Sequence, residues 1–137
     1  AIDWLVEELQ KREKIAATFQ KPIAKIHLVD EVRNVLFEGT REVLVNAIKH
    51  SRAKHIDVSI TAEDSMITIK VRDDGIGFVV SKLDQLQATQ RSFGLYNLRE
   101  RLKDVGGRME IESQPTQGTS VRMIAPTIMS INEKEST

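Results

Sequence analysis

A two-layer α/β sandwich, with one mixed but mostly antiparallel sheet and about three helices on one of its faces, is the fold class this sequence predicts. Three observations carry it. Apolar residues recur with a period of 3.6 in some stretches and with a period of 2 in others. The stretches run helix, strand, helix, two strands, loop, helix, two strands, and hairpin strands mixed with helices pack as helices over a sheet. At 137 residues the chain is one domain of ordinary size, long enough to bury a core without staples.

The first helix is expected over residues 1–14. Ile2, Leu5, Val6 and Leu9 sit at helical spacing, and Glu7, Glu8, Lys11 and Arg12 form a charged back face. Residues 16–19 read as a short strand, followed by a turn at Pro22. Asp30 stands where an N-cap is needed for a helix that runs to about Ser51. Its apolar stripe is Val32, Val35, Leu36, Gly39, Val43 and Ala47. Then the period changes. Ile56, Val58 and Ile60 alternate with polar residues, as do Ile67, Ile69 and Val71, and Glu63-Asp64-Ser65 turns one run into the other as an antiparallel hairpin. Residues 74–92 read as irregular and polar, a connection long enough to expect function or motion from it. Leu95, Leu98, Leu102 and Val105 restore helical spacing until Gly106-Gly107 stops it. Residues 109–113 and 120–125 are the last two strands, joined by the turn Gln114-Pro115-Thr116-Gln117-Gly118. Residues 127–137 read as a polar tail.

Composition excludes several classes. Twenty Lys+Arg balance twenty Asp+Glu, so no basic footprint points to nucleic acid or to contact with an anionic membrane. Without cysteine there is no disulfide framework, thiolate metal site or cysteine nucleophile. Apolar runs are too short to span a bilayer, and no signal peptide opens the chain. The first residue is Ala1 and helical spacing begins at once. The expectation is therefore a cytoplasmic domain cut from a longer protein, whose remainder is free to be membrane-anchored. His27, His50 and His55 keep no Ser–Asp company for a nucleophilic triad.

Four places carry residues with chemistry. On the long helix, Glu42, Asn46 and Lys49 share one stripe beside the buried one, with His50 following. An amide oxygen suits Mg²⁺, an ammonium meets phosphate charge, and a carboxylate orients or polarises a reacting group. Taken alone, the stripe is more commonly a solvated Glu/Lys face, and the helix dipole alone accounts for His50. The second place is Asp73-Asp74-Gly75-Ile76-Gly77, directly after a strand. Its glycines let backbone approach a ligand, and an aspartate there can accept a hydrogen bond from an exocyclic amine; an ordinary strand-ending turn uses the same residues. It is not a dinucleotide fingerprint, a P-loop or an EF-hand. Phe93-Gly94-Leu95 is expected to open the last helix, where a glycine bares amides for phosphate. Gly118-Thr119 opens the last strand with a small residue and a hydroxyl.

In this order the four pieces resemble the nucleotide-binding boxes of the GHKL ATPase superfamily. Glu42-Val43-Leu44-Val45-Asn46-Ala47-Ile48-Lys49-His50 looks like the N box, Asp73-Asp74-Gly75-Ile76-Gly77 the G1 box, Phe93-Gly94-Leu95 the G2 box and Gly118-Thr119 the G3 position. Residues 41–51 and 93–101 are similar to the ATP-binding domain of bacterial sensor histidine kinases, and within them to the subgroup with short ATP lids that pairs with LuxR-type regulators. The likeness covers residues 1–126.

This resemblance implies a Bergerat fold that binds ATP with Mg²⁺. It gives Asp73 the adenine amine, Asn46 the Mg²⁺, Glu42 the polarising or base-like role, and Lys49 with His50 a place near the phosphates. Gly75 and Gly77 would shape the pocket wall and one lid hinge, Gly94 and Leu95 the far hinge, residues 78–93 the lid, and Thr119 the adenine pocket. The histidine that such kinases phosphorylate lies on a separate dimerisation hairpin, and no residue here has that context, since His27 follows Pro22 in a strand or loop. The implied partners are ATP, that phosphoacceptor domain and, through the full-length protein, a response regulator; binding with little turnover is expected of this segment alone. Other readings of the same boxes are an anti-sigma serine kinase or another ATPase of the superfamily, and a non-catalytic interaction module of the same fold.

Overall fold

A two-residue turn sets the centre of the sheet. The structure, a computed structural model, describes residues 2–13, 15–22, 26–49, 52–76 and 90–128. Strands β2 (His55–Glu63) and β3 (Met66–Asp73) are joined by Asp64 and Ser65 alone, both with positive φ (53° and 63°). That conformation matches the twist of a tight hairpin. It pairs Glu63 with Met66 and runs in register to Ile56 opposite Asp73. Strand β1 (Ala16–Gln20) lies parallel to β2 at one edge. Strand β5 (Thr119–Pro126) pairs antiparallel with β3, and β4 (Arg108–Ser113) closes the other edge against β5. The sheet order is β1-β2-β3-β5-β4, mixed and mostly antiparallel as expected.

Among the described residues three helices, α1 (Ile2–Glu13), α2 (Asp30–Lys49) and α3 (Gln90–Asp104), accompany the sheet. Alternation decides which sheet face is covered. Ile56, Val58, Ile67, Ile69, Val71, Val121, Met123 and Ala125 are buried together with Val32, Leu36, Val43, Leu44, Leu95, Leu98 and Leu102 of the helices. The intervening residues, Lys70, Arg72, Arg122, Glu110 and Glu112, belong to the opposite, polar face, where Arg108 and Arg122 each reach Glu110 at 3.3 Å. Helix α1 buries Leu5 and Val6 but leaves Trp4 61% exposed, so the indole is not part of the core.

Several boundaries differ from the sequence reading, each for a local reason. Asp30 is not the N-cap of α2. The first helical bond runs from Arg33 N–H to Val29 O at 3.0 Å, so Val29 holds the cap position. Asp30 is the first helical residue, and its carboxylate pairs with the Arg33 guanidinium instead. Helix α3 begins at Gln90, which places the last four residues of the expected 78–93 lid, and the end of the supposed irregular segment, inside a helix. The stop at Gly106-Gly107 is a Schellman cap: Gly106 has φ 83°, Gly107 N–H reaches Leu102 O at 2.7 Å, and Gly106 N–H reaches Lys103 O at 3.0 Å.

Candidate functional site

The covered face of the sheet turns polar at one end. Along it the register aligns Ile56, Asp73, Thr119 and Ser113 in a single cross-strand row. Asp73 continues the Ile67, Ile69, Val71 series and is therefore carried into the same layer as the core, where it is buried, as is Thr119. Burying a carboxylate is costly unless donors meet it. One does so at once: Gly75 N–H donates to Asp73 Oδ1 at 2.8 Å, which also folds the chain back after β3. Thr119 and Ser113 share a hydroxyl–hydroxyl hydrogen bond of 2.8 Å, and the Ser113 hydroxyl also reaches Gly118 O at 3.1 Å.

Gly118 holds this corner together. Its φ is 79°, and a β-carbon there would collide with the carbonyl of Asp73 and come within 3.2 Å of Asp74 Cα. Both the conformation and the contact require glycine. Gly118→Ala is expected to cost about 1–2 kcal/mol of stability from the left-handed backbone alone, with further loss as β3 yields. A urea melt reads this, and an unchanged midpoint would mean that the turn can re-form around the methyl.

The two adjacent aspartates have different work. Asp74 is exposed, and its Oδ1 accepts the backbone N–H groups of His55 at 3.0 Å and Lys54 at 2.8 Å. Those N–H groups, His55 first, hold its carboxyl below the ordinary range. Asp74 thus ties the start of β2 to the end of β3, and only Asp73 is carried into the interior row.

On α2 the sequence reading needs revision. Asn46 does not lie beside the buried stripe but within it, at 7% exposure, together with Val43 and Ala47. Its Nδ2 is buried with no hydrogen-bond partner. A solvated helix face therefore does not describe this residue. Lys49, at the end of α2, is exposed, and Glu42, one turn before Asn46, is half-buried. His50 and Gly77 lie outside the described residues, as does most of the expected lid.

Gly94 also differs from expectation. It is the fifth residue of α3, beyond the unpaired amides of a helix start, so it does not bare N–H groups for phosphate. What it provides is room: a β-carbon on Gly94 would fall on the Glu42 carboxylate. Leu95 is buried in the core. Among the described residues these contacts form two groups, Asp73 with Gly75, Gly118, Thr119 and Ser113, and Glu42 with Gly94. Helix α2 packs on β3, β5 and α3, and so joins the elements that carry them.

Ser113 was not singled out from the sequence. Its signal lay in the last hairpin, because a five-residue turn after residue 113 puts it opposite Thr119.

Comparison with known proteins agrees with this architecture. Over 105 residues the chain is 39% identical to an uncharacterized sensor-like histidine kinase of Chloroflexus aurantiacus, covering 76% of this chain and 18% of that protein. It is 31% identical over 122 residues to the sensor histidine kinase LiaS of Bacillus subtilis, covering 89% of this chain and 32% of that one. The chain thus spans between about a fifth and a third of the length of these relatives. In three dimensions it superposes on the histidine kinase domain of the Erythrobacter litoralis blue-light activated histidine kinase with a TM-score of 0.70 at 18% identity, over 92% of this chain and 58% of that one. That last likeness is one of fold. Residues 31–128 match the family described as histidine kinase-, DNA gyrase B-, and HSP90-like ATPase, and the chain belongs to that family.

Proposed function

We propose that this chain is the ATP-binding catalytic domain of a cytoplasmic two-component sensor histidine kinase. It binds Mg-ATP and supplies the γ-phosphoryl group to a histidine on a separate dimerisation domain, from which a response regulator receives it. In that step the bond from the γ-phosphorus to the ADP oxygen breaks, a bond to an imidazole nitrogen forms, and the imidazole proton leaves to a base. The family and the named relatives support the reading.

The observation that carries it is the buried amide of Asn46. A donor buried without a partner costs more than a hydrogen bond returns, so a fold keeps one where a ligand completes it. The amide supplies an oxygen suited to a hard cation and an N–H suited to a phosphate oxygen or a metal-bound water. Among the described residues no group of three or more His, Cys, Asp and Glu gathers into a metal cage. That fits Mg²⁺, which keeps waters and substrate phosphates in its shell and takes few protein ligands. When bound, the ion supplies charge neutralisation on the phosphates.

The remaining roles are those that the resemblance to the nucleotide-binding boxes assigns. Asp73, buried at the end of β3, accepts the adenine amine, with Thr119 beside it in the same row. Gly75 and Gly77 shape the wall after β3, and residues 78–93, whose last four belong to the first turn of α3, act as a short lid. Leu95 anchors the far side of that lid in the core. Glu42 serves as the carboxylate at the reacting group, and Lys49 with His50 neutralises phosphate charge. Residues 93–101 support the subgroup that pairs with LuxR-type regulators.

Calorimetric titration of ATP with and without Mg²⁺ tests the reading. The expected result is a dissociation constant of micromolar order, about −8 kcal/mol, tightened by Mg²⁺. ADP should also raise the melting temperature, because a ligand of the folded state stabilises it. Absence of heat under both conditions would overturn nucleotide binding and turn the question to a protein-binding role.

A further inference from the structure

Gly94 stands inside α3, where glycine is a worse helix former than alanine. Something in the tertiary structure favours it there. The three nearest atoms that a β-carbon on Gly94 would meet all belong to Glu42: it would fall on Oε1 and lie 2.8 Å from Cδ and 3.5 Å from Cγ. The corresponding position at Gly39 faces the apolar side chains of Leu98 and Met123, and at Gly107 and Gly118 it faces backbone first. Among the described glycines, Gly94 is the one whose missing side chain is replaced by an ionisable group.

We propose that Gly94 is a positioning residue for the Glu42 carboxylate. The bare α-carbon lets α3 close against the end of the Glu42 side chain, so that α2 supplies the carboxylate and α3 fixes where it points. This rests on the reading of Glu42 as the carboxylate at the reacting group. A glutamate has three rotatable side-chain bonds and, half-buried on a helix, samples several rotamers unless a wall excludes them. Reaction depends on placing such a group to within about 1 Å of its working position, a displacement that can cost on the order of 100-fold in rate. The inference differs from a lid-hinge or phosphate-binding role for the same glycine: it predicts that the effect of a side chain at 94 is transmitted through Glu42.

The obstacle to a methyl group is the far end of a flexible side chain and not backbone, so Gly94→Ala folds by letting Glu42 swing aside. The experiment compares four proteins: the unmodified chain, Gly94→Ala, Glu42→Gln and the double variant. Each is read by melting temperature, ATP affinity with Mg²⁺ and, where Glu42 is retained, the side-chain carboxyl ¹³C resonance of Glu42. Turnover of radiolabelled Mg-ATP is read with the same substitutions in the full-length protein, where the proposed reading places the phosphoacceptor histidine. The proposal expects Gly94→Ala to melt no lower than the unmodified chain and to keep nucleotide affinity within about twofold. It should shift the Glu42 resonance and lose turnover by on the order of 100-fold. In the Glu42→Gln background the same alanine should cost no further turnover, because the group it displaces no longer reacts. Equal losses in the two backgrounds, a loss in affinity instead of rate, or an unmoved resonance would each overturn the positioning role. If Glu42→Gln alone leaves turnover intact, the assignment of Glu42 to the reacting group fails, while the resonance still reports whether Gly94 seats the carboxylate.

Discussion

Asn46→Leu is expected to melt above the unmodified chain and to lose the response of ATP binding to Mg²⁺. The two effects have one cause. Asn46 sits within the apolar stripe of α2 at 7% exposure, and its Nδ2 is buried without an acceptor. Leucine has the same branched skeleton of heavy atoms and no polar atom to satisfy. Removing a buried, unpaired amide donor is worth about 1–3 kcal/mol, from which some crowding by the larger methyl groups must be subtracted. A net gain of about 1 kcal/mol would raise the midpoint by several degrees for a domain of this size. The oxygen that the proposed reading gives to Mg²⁺ disappears in the same substitution, so affinities with and without the ion should converge. Thermal melts paired with calorimetry read both. A variant that still responds to Mg²⁺ would remove Asn46 from the ion, and one that melts lower would show that its buried amide is not a stability cost. Stability gained at the expense of ligand response is the signature of a residue kept for function.

Asp73→Asn is expected to weaken ATP by about 1–3 kcal/mol, roughly 5–150-fold, with little change in stability. The stability argument is local. Asparagine retains an oxygen for the Gly75 N–H, so the turn after β3 persists. The affinity argument concerns the other half of the side chain. Where the carboxylate offers acceptors only, the amide brings two donors into a buried row, and a donor facing the exocyclic amine of adenine is mispaired. Guanine carries an acceptor oxygen at that position. The same variant should therefore lose its preference for ATP over GTP, a change that general damage to the pocket would not produce. Calorimetry with both nucleotides measures it. Unchanged ATP affinity would dissolve the assignment of Asp73 to the base.

Much of the fold was legible because apolar periodicity is a direct record of burial. The β2–β3 hairpin and the order of the eight described elements follow from it, and the glycines mark the stop of α3. The site was legible only where residue type is diagnostic. Asn46 shows the limit: periodicity counts apolar residues, so a polar residue placed three after Val43 and one before Ala47 was assigned to the neighbouring stripe, although it shares their burial. Gly94 shows another. Glycine is weak in helix interiors, so Phe93-Gly94-Leu95 read as a helix start. The reason for glycine there is a carboxylate on a different helix, which no local window contains. Asp30 failed as a cap for a smaller reason, because Arg33 three residues on offers its carboxylate a charged partner. The separation of Asp73 from Asp74 required the register, since adjacent strand residues point to opposite faces and only one of them enters the row.

The parallel pairing of β1 with β2 has a consequence for the order in which this chain assembles. Strands β2 and β3 meet across two residues, a closure on the scale of microseconds. Strand β1 pairs at Ala16 with His55, about 40 residues downstream and across the whole of α2, so its docking pays the larger loop entropy and must wait for a template. Strand β5 meets β3 across a still longer separation, about 46 residues from Asp73 to Thr119, so both flanks of the sheet dock onto the hairpin after it has closed. The row from Ile56 through Asp73 and Thr119 to Ser113 belongs to the other four strands. Opening of α1 and β1 therefore leaves the Asp73 corner paired, and the two ends of the molecule can fluctuate on separate clocks.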